Sequence, residues 1–132
     1  MGPNDARLTR VFPRKTGAVI ADIAFPSNVA LEAVTECEAG TAIHSIGASY
    51  EITIDVIDFS AMASIAGSVI VIAGSLGDSA WPTQAQQFVF PIDAPGDANE
   101  GHIWKIFTSL KIGVTNPHTS LAESELFLIT TP

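Results

Sequence analysis

The sequence contains a single cysteine, Cys37, so no disulfide can form within the chain. The fold therefore does not depend on an oxidising compartment. An N-glycosylation sequon is also missing, because Asn116 is followed by Pro117 and the other asparagines lack a serine or threonine two residues on. Both absences are typical of an intracellular protein. We expect a cytoplasmic chain, or an extracellular one if a signal segment has been removed from this sequence.

Long hydrophobic runs are missing as well. The most apolar stretch, residues 68–73, is much shorter than the roughly 20 residues that a membrane-spanning helix needs. Residues 1–15 carry charge, but no apolar segment of signal-peptide length follows them. We therefore expect no membrane span.

Positive charge is scarce and unevenly placed. Only Lys105 and Lys111 are basic after residue 15, so residues 16–132 have thirteen acidic residues against two basic ones, a formal charge of −11. A body this acidic repels the phosphates of nucleic acids, and we expect no nucleic-acid partner. The first fifteen positions hold the other basic residues, Arg7, Arg10, Arg14 and Lys15.

These four residues predict a basic N-terminal arm over residues 1–16, ahead of a single domain over residues 17–132. Two interpretations of the arm stay open. It is either a flexible, solvated tail or a segment that docks on the acidic surface of a neighbouring subunit, where opposite charges would orient assembly.

Apolar residues alternate with polar ones along most of the chain. In residues 104–114 one parity holds Trp104, Ile106, Leu110 and Ile112, which is typical of a half-buried strand. Similar patterns predict strands at residues 17–25, 50–56, 86–92 and 123–130. Residues 69–72 are all apolar and predict a strand that is buried on both faces or at a subunit contact.

Three segments give weaker or conflicting signals. Residues 29–39 fit helical spacing as well as alternation, and the β-branched Val34 and Thr35 favour a strand. Residues 41–46 suggest a short edge element. The apolar parity changes at Ile57 and Phe59, which predicts a β-bulge or a strand that moves between sheets.

About seven or eight short strands with turn signals between them predict an all-β fold, an antiparallel two-sheet β-sandwich of immunoglobulin-like or jelly-roll arrangement. The composition is 47% hydrophobic and only 15% charged, where soluble domains average about a quarter charged. We expect the apolar surplus to be covered by a partner, either another protein or a second copy of the chain. The first functional hypothesis is therefore a non-enzymatic binding or assembly module that forms a homo-oligomer.

No catalytic signature is present. A hydrolytic triad needs a nucleophile, a histidine and an orienting acid that converge in space, and the three histidines lie in no nucleophile motif. The lone Cys37 stands between apolar alternates and is expected to be a small core residue. An enzyme remains an alternative only if the fold brings together scattered residues such as His44, Asp58, His102 and His118.

The other alternative is a small-ligand module. Trp81 lies in a loop and could serve as an aromatic platform for a carbohydrate. A nearby loop offers four oxygen donors within eight residues, a set that suits calcium although its spacing is not that of an EF-hand: Asp93, Asp97, Asn99 and Glu100. Apart from calcium, we expect no cofactor.

Overall fold

Strands make up most of the computed structural model, which describes residues 5–65, 69–113 and 118–132. The elements in chain order are β1 (Ala6–Lys15), β2 (Ala24–Pro26), β3 (Leu31–Ala39), α1 (Thr41–Ser45), β4 (Ser49–Asp58), β5 (Ala63–Ser64), β6 (Ile70–Ser75), β7 (Ala85–Ile92), β8 (Ile103–Ile112), β9 (His118–Glu123) and β10 (Phe127–Thr130). A 3-10 turn, Asp97–Asn99, precedes β8.

The strands form two sheets that pack face to face. The smaller sheet has the order β1-β3-β7. The larger sheet has the order β2-β10-β8-β4-β5, with β6 also paired to β4 and β9 to β8. The predicted all-β sandwich is confirmed, but the described residues form ten strands rather than seven or eight, and β2 lies parallel to β10.

The pairing of β4 with β8 determines the core. Their register runs without a break from Tyr50 opposite Ile112 to Asp58 opposite Trp104. Because strand side chains alternate between faces, every second residue of both strands points towards the smaller sheet. The inward apolar residues are almost fully buried, and each contributes about 1.5–3 kcal/mol: Ile52, Ile54, Val56, Ile106 and Leu110.

A polar contact joins the sheets inside this core. The hydroxyl oxygens of Thr35 on β3 and Thr108 on β8 lie 3.1 Å apart, and both residues are buried. Each hydroxyl satisfies the other, so neither is left unpaired in an apolar interior. The contact fixes how β3 sits over β8.

The predicted β-bulge at Ile57 and Phe59 is wrong. Strand β4 keeps its register with β8 up to Asp58, and a buried carboxylate occupies the inward position where the pattern calls for an apolar residue. Phe59 lies beyond the end of β4, and its ring packs edge-on against Phe107. The change of parity therefore marks an inward Asp58 rather than a distortion of the backbone.

Other expectations are settled by the strand bounds. Residues 29–39 are a strand, β3, as favoured. Residues 41–46 hold the helix α1 rather than an edge element. The strand predicted at residues 17–25 is largely wrong, since only Ala24–Pro26 pairs there, and Val19 and Ile20 are 89% and 77% exposed.

The apolar residues 69–72 do not form a strand buried on both faces. Strand β6 pairs with β4, its side chains are half-buried and exposed in turn, and Val71 is 56% exposed. The strand predicted at residues 86–92 is confirmed as β7, which ends the smaller sheet. Residue 68 of the apolar stretch and residue 114 of the alternating segment 104–114 lie outside the described residues.

The basic arm is part of the sandwich. Strand β1 pairs with β3 from Ala6 to Lys15, with one register shift between Leu8 and Arg10. The expectation of a separate arm is therefore wrong for Ala6–Lys15, while residues 1–4 lie outside the described residues. Its three arginines face acidic side chains of β3 in the same chain. The ion pairs are Arg7–Glu38 at 2.8 Å, Arg14–Glu32 at 3.0 Å and Arg10–Glu36 at 4.0 Å, and Lys15 lies 4.0 Å from Asp22.

The ion pairs of β1 differ in burial, which predicts different contributions to stability. Arg14 and Glu32 have side chains only 14% and 15% exposed, whereas Arg7 is 57% exposed. We expect Arg14→Gln to lower the free energy of unfolding by about 2 kcal/mol, because it removes a charge-assisted hydrogen bond that water replaces poorly. The matched variant Arg7→Gln should cost less than about 1 kcal/mol. Urea unfolding of both variants measures the difference, and equal losses would contradict the assignment.

Candidate functional site

The outer face of the larger sheet carries the most prominent cluster of exposed apolar side chains on the strands. We call it the outer face, and it consists of the residues of β4, β6, β8, β9 and β10 that point away from the smaller sheet, together with Phe59, which directly follows β4. The register aligns these residues across neighbouring strands. Five large apolar residues on this face are 38–77% exposed: Phe59, Val71, Ile103, Leu121 and Leu128. Several exposed apolar residues on one sheet face indicate a binding surface more than isolated exposed residues do.

A groove of about 480 Å³ crosses this face over β4, β8 and β9. Two rows of cross-strand neighbours form its floor. The first row is Asp55, Phe107 and Glu123, and the second is Thr53, Ser109 and Leu121. Ala122 and Thr108 complete the lining.

Asp55 is a polar residue of the groove whose carboxylate is only partly hydrogen-bonded in the described part of the chain. Its Oδ2 accepts a hydrogen bond of 3.1 Å from the Ser64 hydroxyl. Its Oδ1 is shielded from solvent and, among the described residues, has no hydrogen-bond partner. An unsatisfied polar atom of this kind is unfavourable by about 1–3 kcal/mol, more for a charged group.

An ammonium group already lies at the opposite side of Phe107. Lys105 Nζ donates to Glu123 Oε1 at 2.8 Å and lies 5.6 Å from the centre of the Phe107 ring. Phe59 contacts the same ring edge-on, with ring centres 6.2 Å apart. The groove thus joins an aromatic ring to two carboxylates, of which Glu123 has a cationic partner.

Basic residues lie on the strands, whereas most of the acidic residues lie in loops or at strand ends. All six lysine and arginine residues lie on β1 or β8, and the strands also hold six acidic residues that point outward: Glu32, Glu36, Glu38, Glu51, Asp55 and Glu123. The other eight acidic residues lie in loops or at strand ends and account for the net charge of −8. The outer sheet faces are therefore close to neutral on a strongly acidic protein.

Trp81 is fully buried, so the expected exposed platform for a carbohydrate is wrong. Its indole N–H donates to the carbonyl of Gln84 at 3.2 Å, and its ring packs edge-on against Tyr50 and Phe88. Its own carbonyl accepts from Gly77, and His44 Nε2 lies 3.2 Å from the same oxygen. The residue joins the loop after β6 to the core.

The carboxylate of Asp78 explains why this loop turns inward. It accepts hydrogen bonds from the backbone N–H groups of Trp81, Ala80 and Ser75 and from the Tyr50 hydroxyl. These hydrogen bonds, led by that of Trp81, outweigh the effect of burial and lower the pKa of Asp78. Gly74 makes room for this arrangement, because a β-carbon there would overlap the Asp78 carboxylate and crowd Tyr50.

The proposed calcium loop does not gather its oxygen donors into a cluster. Glu100 accepts from the Ser27 hydroxyl at 3.1 Å, and the side-chain amide of Asn99 donates to the Pro95 carbonyl at 2.6 Å. Asp93 and Asp97 are exposed. Within the described ranges, no three histidine, cysteine, aspartate or glutamate side chains come close enough together to hold a metal ion.

The scattered polar residues converge only in part. Asp58 and His102 meet at the end of β4, where His102 Nδ1 donates to Asp58 Oδ2 at 2.6 Å. The other two histidines lie at the opposite end of the larger sheet, since His118 pairs with Ile112 and His44 belongs to the helix that precedes β4. The three histidines therefore form no common site.

Asp58 is held by several donors. Burial alone would raise its pKa, but the hydrogen bonds from His102, Ala61 and Ser60, together with the charge of His102, outweigh burial and lower it. The ionised carboxylate accepts the hydrogen bond from His102 Nδ1 and so orients the imidazole ring. This pair joins the start of β8 to the turn after β4.

Cys37 is a core residue, as expected. It is 2% exposed, and its Sγ donates to the Gln86 carbonyl at 3.4 Å. Burial, with the nearby charge of Glu36, raises the pKa of the thiol to about 12. The thiol therefore stays protonated at neutral pH and is a poor nucleophile.

Comparisons with known proteins add little. No family model matches the chain, and no curated protein is similar to it at a significant level. A solved structure from Bordetella pertussis, provisionally described as ApaA, is 14% identical and gives a TM-score of 0.46 over 99% of this chain and 97% of that one. This likeness carries no argument about function. No helix among the described residues is long and apolar enough to cross a membrane.

The Asp58–His102 pair predicts a pH-dependent contribution to stability. A carboxylate whose pKa is lowered by folding stabilises the native state above its unfolded pKa of about 3.9, and that contribution is lost as the pH falls through the lower folded value. We expect Asp58→Asn to reduce the free energy of unfolding by about 1–3 kcal/mol near pH 5, and by less near pH 3. Urea unfolding at both pH values measures this. The exposed Asp93→Asn is the control, and a loss that does not depend on pH would contradict the prediction.

The hydrogen bonds of Asp78 predict that this residue holds Trp81 in the core. We expect Asp78→Ala to release the loop, lower the melting temperature and shift the indole N–H signal of Trp81 in a ¹⁵N-correlated NMR spectrum, while the signal of Trp104 stays in place. Trp104 is a suitable internal reference because it is buried elsewhere in the core, against Phe127. An unchanged Trp81 signal would show that Asp78 does not hold the loop.

Proposed function

We propose that this protein is a non-enzymatic binding and assembly module that self-associates through the outer face. The observation that carries the proposal is the coincidence of exposed apolar residues with near-neutral charge on one face of a protein whose net charge is −8. Two acidic copies repel each other over most approaches. The repulsion is weakest where the acidic loops point away from the contact.

The size of the face is sufficient for a stable contact. Four to five strands at about 4.8 Å spacing give a width of roughly 15–20 Å, and the nine-residue ladder of β4 and β8 at about 3.3 Å per residue gives a length of roughly 30 Å. The flat area is then roughly 500 Å² before side-chain relief is counted. A standard interface buries about 800 Å² of accessible surface on each partner, which is of the same order.

The charges on the face suit a second copy of the chain. Lys105 and Lys111 lie beside Glu51 and Glu123 on the same surface. A two-fold axis through such a face can place the lysines of one copy against the carboxylates of the other, because each copy presents both signs. Apolar contact would supply the affinity, and these pairs would set the orientation.

The outer face of the smaller sheet is less suited to association. Its central residues, Phe12 and Val34, are 7% and 0% exposed. The guanidinium of Arg10 covers the Phe12 ring at 4.1 Å, and the ion pairs between β1 and β3 occupy the surroundings. Val89 is 38% exposed and gives a natural control position.

The two alternatives have weaker support. A carbohydrate platform at Trp81 lacks an exposed ring, and the oxygen donors of the calcium loop are not gathered around one point. The Asp58–His102 pair has the geometry of an oriented base, but Ser60, the nearest serine in sequence, uses its hydroxyl to accept from the backbone of Ile103. The outer face, by contrast, keeps large apolar side chains exposed in the described part of the chain.

Two valine substitutions test self-association. We expect sedimentation equilibrium or light scattering to give a defined oligomer for the full chain and a monomer for Val71→Asp, because the new charge would be buried at the contact. Val89→Asp should leave the oligomer unchanged, since that valine is an outward residue of the edge strand β7 in the other sheet. Deletion of residues 1–15 would not test self-association, because it removes strand β1 from the smaller sheet. A monomeric full chain at every concentration, or equal effects of both variants, would overturn the proposal.

A further inference from the structure

The groove on the outer face also has the properties of a small-molecule site. We propose that it binds a small organic ammonium ion, with the charged nitrogen beside Asp55 and an apolar body against Phe107 and Leu121. This inference does not depend on self-association, since the groove belongs to a single copy of the chain.

The size and lining of the groove fit such a ligand. Its volume of about 480 Å³ lies within the range of small-molecule sites, which are mostly apolar with a few polar groups that fix orientation. Phe107, Leu121 and Ala122 give the apolar part, and Thr53 and Ser109 give hydroxyls at the other end of the floor from Asp55 and Glu123.

The charges select a cation. The lining contains two carboxylates and no basic residue, and the one ammonium nearby, that of Lys105, is already bound to Glu123. One carboxylate, that of Asp55, is left without a cationic partner among the described residues. A ligand anion would meet this carboxylate without compensation, whereas an ammonium would meet a favourable charge.

The position of the charged nitrogen follows from Asp55. Its Oδ2 is bound to Ser64, and its Oδ1 has no partner in the described part of the chain. Rotation of the carboxylate about its terminal bond would turn Oδ1 towards the groove at the expense of one exposed hydrogen bond. An ammonium N–H would then supply the missing donor.

The aromatic ring adds to this preference. Phe107 lies directly between Asp55 and Glu123 in the register, and the ammonium of Lys105 is within cation–π distance of it. The chain itself therefore places one ammonium beside a carboxylate and this ring. The Asp55 side of the ring offers the same combination to a ligand.

The experiment uses three probes of similar shape and different charge on the full chain. The cation is 2-phenylethylammonium, the neutral analogue is 2-phenylethanol, and the anion is 3-phenylpropionate. We expect ¹⁵N-correlated NMR titration to show saturable shifts of the Phe107, Ser109 and Leu121 amides with the cation and none with the anion. The neutral analogue should bind at least tenfold more weakly, because it lacks the charge-assisted hydrogen bond to Asp55.

Two carboxylate variants distinguish binding in the groove from a general attraction of cations to an acidic protein. We expect Asp55→Asn to weaken binding of 2-phenylethylammonium about tenfold or more and Asp93→Asn to leave it unchanged. Asp93 is the matched control because it is an exposed carboxylate outside the groove and the outer face, and its loss changes the net charge by the same amount. Equal binding of the neutral analogue, or equal effects of both variants, would overturn the inference.

A third variant distinguishes this inference from self-association. Val71 does not line the groove, so Val71→Asp should keep the ammonium site whether or not the wild-type chain forms an oligomer. If contact between copies covers the groove, the cation should bind this variant more tightly than the wild type. Absence of saturable shifts in both the wild type and Val71→Asp would overturn the ammonium site and leave self-association to be judged by its own test.

Discussion

The pairing of β4 with β8 is the constraint on which the rest of the structure depends. A register of nine residue pairs without a bulge fixes which side chains point inward and which point outward along the centre of the larger sheet. The same alternation that buries Ile54 and Val56 places Asp55 on the outer face between them. A register shift of one residue would move the core side chains to the outer face and the groove side chains into the core. The burial of the core and the composition of the outer face are therefore two results of a single register.

The distribution of charge follows from the same alternation. The strands hold six cations and six acidic residues that point outward, while the surplus acidic residues lie in loops or at strand ends. At long range the protein is an anion and repels copies of itself. At contact distance the outer face offers apolar residues with charges of both signs, so association would depend on orientation and would respond to salt, because screening reduces the repulsion of the loops more than it affects close pairs.

Local patterns in the sequence predicted the parts of the fold that local alternation determines. The strands around Ile52 and Ile106, and the strand character of residues 29–39, could be read directly from period-two spacing. The misses have non-local causes. The basic residues of β1 look like a separate arm until β3 is placed beside them, and Trp81 looks exposed until Asp78 is seen to turn the loop inward. Inward Asp58 breaks the alternation because its partner, His102, lies 44 residues away. The groove was missed for the same reason, since its three strands meet only in the folded sheet.

The carboxylates on and beside the larger sheet differ in how many hydrogen bonds they accept from the described chain. Asp58 accepts from two backbone N–H groups and an imidazole, and Asp78 accepts from three N–H groups and a hydroxyl, so each has a sufficient structural explanation. Among the described residues, Asp55 accepts from the exposed Ser64 hydroxyl alone, and its other oxygen has no hydrogen-bond partner. A threonine at this position would fit the half-buried strand face at less cost, because it removes the unpaired charge and suits β-structure. The fold therefore gives no reason for a carboxylate here, whereas a ligand with a positive charge would give one.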